Sequence, residues 1–202
     1  DKGERLQPNA KAGDIRFKDV TGDGVIDEDD KEYCGTGIPK FETNLNFSAS
    51  YKGFDLSFSL SGVFGHKIYN GNRYFYESMN APINMLSTVV NAWTPENTHT
   101  DIPRAVNGDP NGNSRESERF LENGSFVRLR QAQIGYTLPV SLLKKVKIEK
   151  LRFYISGDNL FTITGYSGVD PEFSTSSPLN SGVDRYIYPF TRSYTVGAQL
   201  TF

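Results

Sequence analysis

Eleven residues, Arg192 to Phe202, read R-S-Y-T-V-G-A-Q-L-T-F and put Tyr194, Val196, Ala198, Leu200 and Phe202 on one face of an extended strand. Ser193, Thr195, Gly197, Gln199 and Thr201 fall on the other. A strand divided in this way needs an apolar phase against one face and water against the other. The pattern recurs upstream. Leu45, Phe47, Ala49 and Tyr51 alternate with Asn44, Asn46, Ser48 and Ser50, and after a turn at Lys52-Gly53 the residues Phe54, Leu56, Phe58 and Leu60 alternate with Asp55, Ser57, Ser59 and Ser61. These two runs predict a hairpin. Val127 and Leu129 share a face with Ala132, Ile134 and Tyr136 only if one residue bulges near Arg130. Leu151, Phe153 and Ile155 alternate with Arg152, Tyr154 and Ser156 in a strand that runs on toward Phe161. Ile15 and Phe17, alternating with Asp14 and Arg16, read as the tail of an earlier strand, and a short helix is expected within 85–93.

The connections sort by length. Strict up-and-down order puts the turns at 52–53 and 138–148 at one end of the strands, and the segments 19–41, 66–124 and 165–191 at the other. Short turns on one side and long loops on the other are the habit of outer-membrane barrels. The aromatic residues sort likewise, with Tyr51, Phe54, Tyr136, Phe153 and Phe202 expected near the inner rim and Phe64, Phe126, Phe161 and Tyr194 near the outer one. Rings tolerate the half-wet level of a bilayer interface. No apolar run has the length of a membrane helix, but barrel strands of about 9–11 residues hide their lipid face in alternation. The reading is an all-β, antiparallel transmembrane β-barrel segment with long extracellular loops and short periplasmic turns. The alternative is a secreted, calcium-stabilised β-sandwich that binds carbohydrate. The chain starts D-K-G-E-R-L without a Met or signal peptide, which reads as a C-terminal piece of a larger protein. A net charge of −2 gives no reason to expect nucleic acid. Cys34 is alone, so no internal disulfide forms, and an idle or buried thiol is expected.

One stretch points to a metal. Asp19-Val-Thr-Gly-Asp-Gly-Val-Ile-Asp-Glu-Asp-Asp30 matches a twelve-residue calcium loop, with Asp19, Thr21, Asp23, Asp27 and Asp30 at positions 1, 3, 5, 9 and 12. Gly24 takes the sharp-turn position 6 and Val25 the carbonyl position 7. Carboxylates so closely spaced repel unless a hard cation lies among them, so calcium in a structural role is expected, with an unliganded Asp-Gly turn on a solvated surface as the alternative. The loop departs from the helix-loop-helix form in having strand-like sequence before it and Asp at position 12. No nucleophile motif, phosphate loop or dinucleotide fingerprint is present, and no enzyme is expected. His66 and His99 lie in loops, away from metal-ligand spacing. The loop aromatics Tyr74, Tyr76, Trp93, Tyr166 and Tyr186, with Asn and Asp among them, suit the capture of sugars or peptides in a vestibule; packing of loop on loop is the competing role.

Several stretches, in order, resemble one family: G-D-I-R-F-K-D-V-T-G-D-G-V-I-D-E-D-D (13–30), N-F-S-A-S-Y-K-G-F-D-L-S-F (46–58), A-W-T-P-E-N (92–97) with I-P-R (102–104), L-E-N-G-S-F-V-R-L-R (121–130), R-F-Y-I-S-G-D-N-L-F-T-I-T-G-Y (152–166), G-V-D-P-E-F (168–173) and the closing Phe202. Together they resemble the C-terminal barrel portion of SusC/RagA-type TonB-linked outer-membrane transporters. That resemblance implies about the last six strands of a 22-stranded barrel. It implies import of oligosaccharides or peptides, with a SusD-like surface lipoprotein over the outer loops and energy from the TonB complex reaching the N-terminal part outside this chain. Phe202 would be the terminal aromatic read by the barrel-assembly machinery. The resemblance brings no catalytic residues.

Overall fold

In the computed structural model, residues 6–144, 148–173 and 180–202 are described. Part of the expected 138–148 turn (145–147) and part of the 165–191 loop (174–179) lie outside them. The strands are β1 (Phe41–Tyr51), β2 (Phe54–Phe64), β3 (Lys67–Asn70), β4 (Leu121–Asn123), β5 (Phe126–Thr137), β6 (Lys150–Thr164), β7 (Val183–Asp184) and β8 (Ser193–Thr201), with short helices α1 (Gly71–Tyr76) and α2 (Val140–Leu143). The chain forms two compact units, one of residues 36–68, 122–182 and 187–202 and one of 1–35, 69–121 and 183–186.

The first unit is an antiparallel five-stranded sheet in the order β1-β2-β5-β6-β8. Its register produces continuous rows across all five strands. Ala49, Leu56, Ile134, Ile155 and Val196 form one, and Tyr51, Phe54, Tyr136, Phe153 and Ala198 form another. A third runs Phe47, Phe58, Ala132, Gly157 and Tyr194, in which large side chains flank small ones. Phe47 stacks on Phe58 at 5.1 Å and Phe54 meets Tyr136 at 4.5 Å. These direct cross-strand pairs specify the register, because a slip of one residue would carry every ring to the other face.

That face is open. Leu45, Phe47, Leu56, Ile134, Ile155 and Leu200 are all exposed, and Val196 is 80% exposed. Exposed side chains on all five strands leave this face uncovered among the described residues, whereas a sandwich would bury it. It carries no Lys or Arg in any of the five strands.

The expected bulge is present. The partner of β2 jumps from Gln131 to Leu129 across Ser59 and Leu60, leaving Arg130 as the extra residue. Arg130 and Gln131 thereby share the polar face, and apolar parity resumes at Ala132. On β6 the compensating irregularity holds Asn159 at φ 51°, a left-handed conformation that Asn tolerates, with its side-chain amide donating to the Thr191 carbonyl at 3.1 Å.

The polar face is cross-braced by charge. Arg152 on β6 reaches across β5 to Asp55 on β2, with Nε at 2.9 Å and Nη2 at 2.5 Å from the carboxylate oxygens. Gly135 lies beneath this bridge, and a Cβ there would sit 2.6 Å from the guanidinium. Absence of a side chain on the central strand lets a bidentate ion pair span three strands.

Three expectations need correction. Residues 14–17 are not a strand. Side-chain amides serve the backbone there: Asn113 Oδ1 accepts from the Ile15 N–H at 2.9 Å, Gln7 Oε1 accepts from Phe17 N–H at 2.8 Å, and Gln7 Nε2 donates to the Ile15 carbonyl at 3.0 Å. The sheet accordingly contains five of the six expected strands. Phe126 pairs with Val63 and lies on the polar face, 3% exposed, rather than in the outer aromatic row; its parity is opposite to Val127. Within 85–93 the expected short helix is present, as a 3-10 helix over Ser87–Asn91. Cys34 is exposed, its thiol 3.4 Å from the Glu32 carbonyl.

Candidate functional site

Strand pairing puts the 52–53 turn, the end of β5 and the start of β6 at one end of the sheet, and the end of β2, the start of β5 and the end of β6 at the other, so the short and long connections leave from opposite ends as their lengths suggested. At the long-loop end, Arg128 and Arg130 project from the polar face of β5 and clasp the segment after β6. Arg128 Nη2 donates to Asp170 and stands, through Nε, 3.4 Å from Glu172, while Arg130 Nη2 donates to Glu172 at 2.5 Å. Asp170 and Glu172 come from the motif G-V-D-P-E-F; Asp170 Oδ2 also accepts from the Phe190 N–H at 3.0 Å, and its Oδ1 from the Glu172 N–H at 2.9 Å. Arg128 is 2% exposed, and Phe126 and Phe190 lie 5.7 and 5.3 Å from its guanidinium. A desolvated guanidinium so placed needs both carboxylates, and removal of either would strand a buried charge. The sequence reading did not single out this clasp, although two arginines at alternate positions of one strand's polar face were its visible signal.

In the other unit, separated motifs converge. Arg104 of I-P-R holds Asp14 of G-D-I-R-F bidentately at 2.7 and 3.1 Å, and Asn113 Nδ2 donates to the same carboxylate at 2.8 Å. The Trp93 ring of A-W-T-P-E-N lies so close over Gly13 (φ 85°) that a Cβ would come within 2.4 Å of it. The Asp14 carboxyl feels burial, which alone would raise its pKa, but the hydrogen bonds from Arg104, Asn113 and the Lys11 amide prevail and hold it below the ordinary carboxylate range. Nearby, Glu77 is buried between Arg73 (3.1 Å) and Arg119 (3.0 Å) and accepts from Thr88 Oγ1 at 2.9 Å.

The vestibule aromatics divide. Trp93 packs on Gly13; Tyr166 is 6% exposed; Tyr74 stands edge-on to Phe120 at 5.5 Å. These three hold loops together. Tyr76 and Tyr186 instead join Phe75 in a mutually edge-on cluster with centroids 5.2 to 6.3 Å apart, and Phe75 and Tyr186 are exposed. Tyr186 adopts φ 59°, unfavourable for an aromatic residue, and its N–H is held by Asn72 Oδ1 at 3.1 Å.

The Asp-rich loop is exposed and ordered by its own carboxylates. Asp19 accepts from the Gly22 and Gly24 amides at 2.6 and 3.1 Å, Asp23 from Val25 at 2.9 Å, and Asp30 from Val20 and Asp27 at 2.8 and 2.9 Å. Asp27 caps a 3-10 turn, Glu28–Asp30, in a reciprocal box with Asp30. Asp19 and Asp30, the two ends of the loop, both approach the Thr21 hydroxyl, at 3.4 and 3.3 Å. Hydrogen bonds from the Asp27, Thr21 and Val20 amides hold the Asp30 carboxyl below its ordinary value. Among the described residues, no three His, Cys, Asp or Glu side chains converge at metal-ligand geometry.

No protein-family model matches the chain. It is 34% identical over 203 residues to TonB-dependent receptor P3 of Formosa agariphila, across 98% of this chain and 20% of that protein. TonB-dependent receptor SusC of Bacteroides thetaiotaomicron is 27% identical across 96% of this chain. The chain belongs with the SusC/RagA-type TonB-dependent receptors. Among solved structures, the RagAB peptide importer in its closed-closed state superposes with a TM-score of 0.71 at 32% identity, covering 84% of this chain and 18% of that one. The chain spans about a fifth of the length of the receptors it matches.

The Asp14 clasp makes an acid prediction for this receptor segment. A depressed carboxyl contributes stability in full above its unfolded pKa of about 3.9 and loses it as pH falls through the folded value, so the clasp weakens only below about pH 4. Hydrogen–deuterium exchange on the full-length receptor in detergent should show amides of residues 13–17 protected at pH 6, where the carboxylate is ionised. Asp14→Asn should release them at that pH; equal protection of the native chain and the variant would contradict the clasp.

Proposed function

We propose that this chain is wall and outer-loop sequence of an outer-membrane importer, its five-stranded sheet forming adjacent staves of a larger barrel. The observation that carries this reading is the exposed apolar face, continuous through five registered strands and free of Lys and Arg. In water such a surface would far exceed the apolar patches that soluble monomers expose; in a bilayer it is the solvated side. The polar face then lines a wet lumen, the short turns face the periplasm, and the long connections face outward. Kinship with SusC/RagA-type receptors supports the import of large nutrients, oligosaccharides or peptides. It also supports a SusD-like lipoprotein over the outer loops and coupling to TonB through sequence outside this chain. Of the five vestibule aromatics, Tyr76 and Tyr186 with Phe75 are the rings available to cargo.

The importer's loop Asp19–Asp30 serves in this proposal as a structural calcium site, held by the side chains of Asp19, Thr21, Asp23, Asp27 and Asp30 and the carbonyl of Val25. The donor set fits a hard cation, and the Gly24 turn and the approach of both loop ends to Thr21 fit the wrap of such a loop. The carboxylates, now turned onto backbone amides, would rotate inward to bind.

Two measurements test these assignments. Ala132 lies at mid-height on the apolar face and Gln133 beside it on the polar face. In the full-length receptor, Ala132→Arg should cost about 2–4 kcal/mol of bilayer stability, whereas Gln133→Arg should cost little. The folded fraction by heat-modifiable electrophoretic mobility reads the difference, and equal losses would sink the lipid assignment. For the loop, millimolar calcium should slow protease cleavage within residues 19–30, with Kd on the order of 10⁻⁴–10⁻³ M as for extracellular modules. Asp19→Asn with Asp30→Asn should abolish that effect, and cleavage indifferent to calcium in the native loop would remove the metal.

A further inference from the structure

On the polar face of the sheet, at its long-loop end, a cavity of about 290 Å³ lies between the start of β1, the end of β2 and the segment after β6. That is the small end of the range for ligand pockets, enough for a side-chain-sized group. Among its lining residues the charged ones are Glu42, Arg130 and Glu172. Arg130 is committed: its Nε donates to Ser61 Oγ at 2.7 Å and its Nη2 to Glu172 at 2.5 Å. Glu172 is therefore balanced. Glu42 has no side-chain partner among the described residues, which leaves the lining with one uncompensated negative charge.

His66, also in the lining, is 7% exposed, and its Nδ1 has no hydrogen-bond partner. Burial pushes the imidazole pKa down, against an opposing pull from the Glu42 carboxylate, and a neutral imidazole offers one N–H donor and one acceptor nitrogen. Glu172 Oε2 is likewise buried without a hydrogen bond. The walls are completed by Phe126, Pro171 and Phe173. Among the described residues the niche thus offers a carboxylate without a side-chain partner, buried acceptor atoms and an apolar wall, beside the side chains of Asn44 and Ser61.

We propose that this niche is a subsite for a primary ammonium group on the cargo, either a lysine side chain or a free amino terminus. An ammonium brings three N–H donors and one positive charge to Glu42 and His66, and its aliphatic stem suits the aromatic wall. A carboxylate or phosphate would meet two glutamates. A sugar hydroxyl would satisfy acceptors but leave the Glu42 charge unmatched. The proposal deepens the import reading and rests on the polar face being the wet one.

Saturation-transfer-difference NMR on the detergent-solubilised full-length receptor tests it, with four probes: Nα-acetyl-lysine amide, alanine amide, Nα-acetyl-norleucine amide and glucose. One or both amines should bind at millimolar concentration, and which of them binds identifies the source of the ammonium. Nα-acetyl-norleucine amide and glucose should not. E42Q, at an exposed position whose loss does not threaten the sheet, should weaken amine binding at least tenfold with the melting temperature unchanged. Absence of amine binding, equal binding of norleucine or glucose, or unchanged binding in E42Q would each overturn the proposal. Failure of the native receptor to import in cells would count against the transport reading and leave this binding result intact.

Discussion

A strand whose alternate residues are all apolar can be stable only where something apolar lies against them, and in this chain five such strands are locked side by side with nothing of their own to cover that face. The other structural features of the sheet follow from that demand. Direct ring and aliphatic pairs across the strands hold a single register, since any slip would turn the apolar row to the wet side. The bulge at Arg130 is the point where the parity would otherwise fail: it places Arg130 and Gln131 together on the polar face and returns Ala132, Ile134 and Tyr136 to the apolar one.

The polar face obeys a second rule, that charges leaving bulk water must be paired. Asp55 and Arg152 brace three strands over the bare backbone of Gly135, and Arg128 and Arg130 fasten the segment carrying Asp170 and Glu172. These ion pairs stand in for the hydrophobic core that a one-sided sheet lacks. The separate loop unit is built in a similar manner, from the Asp14–Arg104 clasp and the Glu77 pair of arginines, with Phe120 and Trp93 as its packed rings. His66 and Glu42 stand apart because their polar atoms are not absorbed in such pairs.

Long alternating runs were legible in the sequence because the period of a strand is two and each had at least three apolar repeats; the bulge was legible for the same reason. Ile15 and Phe17 offered only two, and their backbone is served by Gln7 and Asn113 instead of a neighbouring strand. Phe126 directly precedes Val127, so strand parity puts its ring on the polar face whatever its aromatic character suggests. Trp93 and Tyr166 looked like available rings because sequence cannot say which aromatic will be folded under a loop. The Arg128 clasp escaped notice because its carboxylates lie some forty residues on and meet it only once β6 has crossed. For the Asp-rich loop, spacing disclosed the donor set and the turn at Gly24 but not the direction of the carboxylates, which local amides decide.

The most direct measurement is a site-directed spin-label scan of the full-length receptor in lipid bilayers, with Cys34 replaced by Ser and single labels along β2, β5 and β8. Contact with dissolved oxygen, which partitions into lipid, should peak at 56, 58, 132, 134, 196 and 198. Contact with a water-soluble nickel complex should peak at 57, 59, 131, 133, 195 and 197. Alternation in opposite phase on all three strands is the predicted result. Labels on the apolar face that reach neither reagent, or that reach the nickel complex as readily as their neighbours, would show that lipid is not what these side chains face.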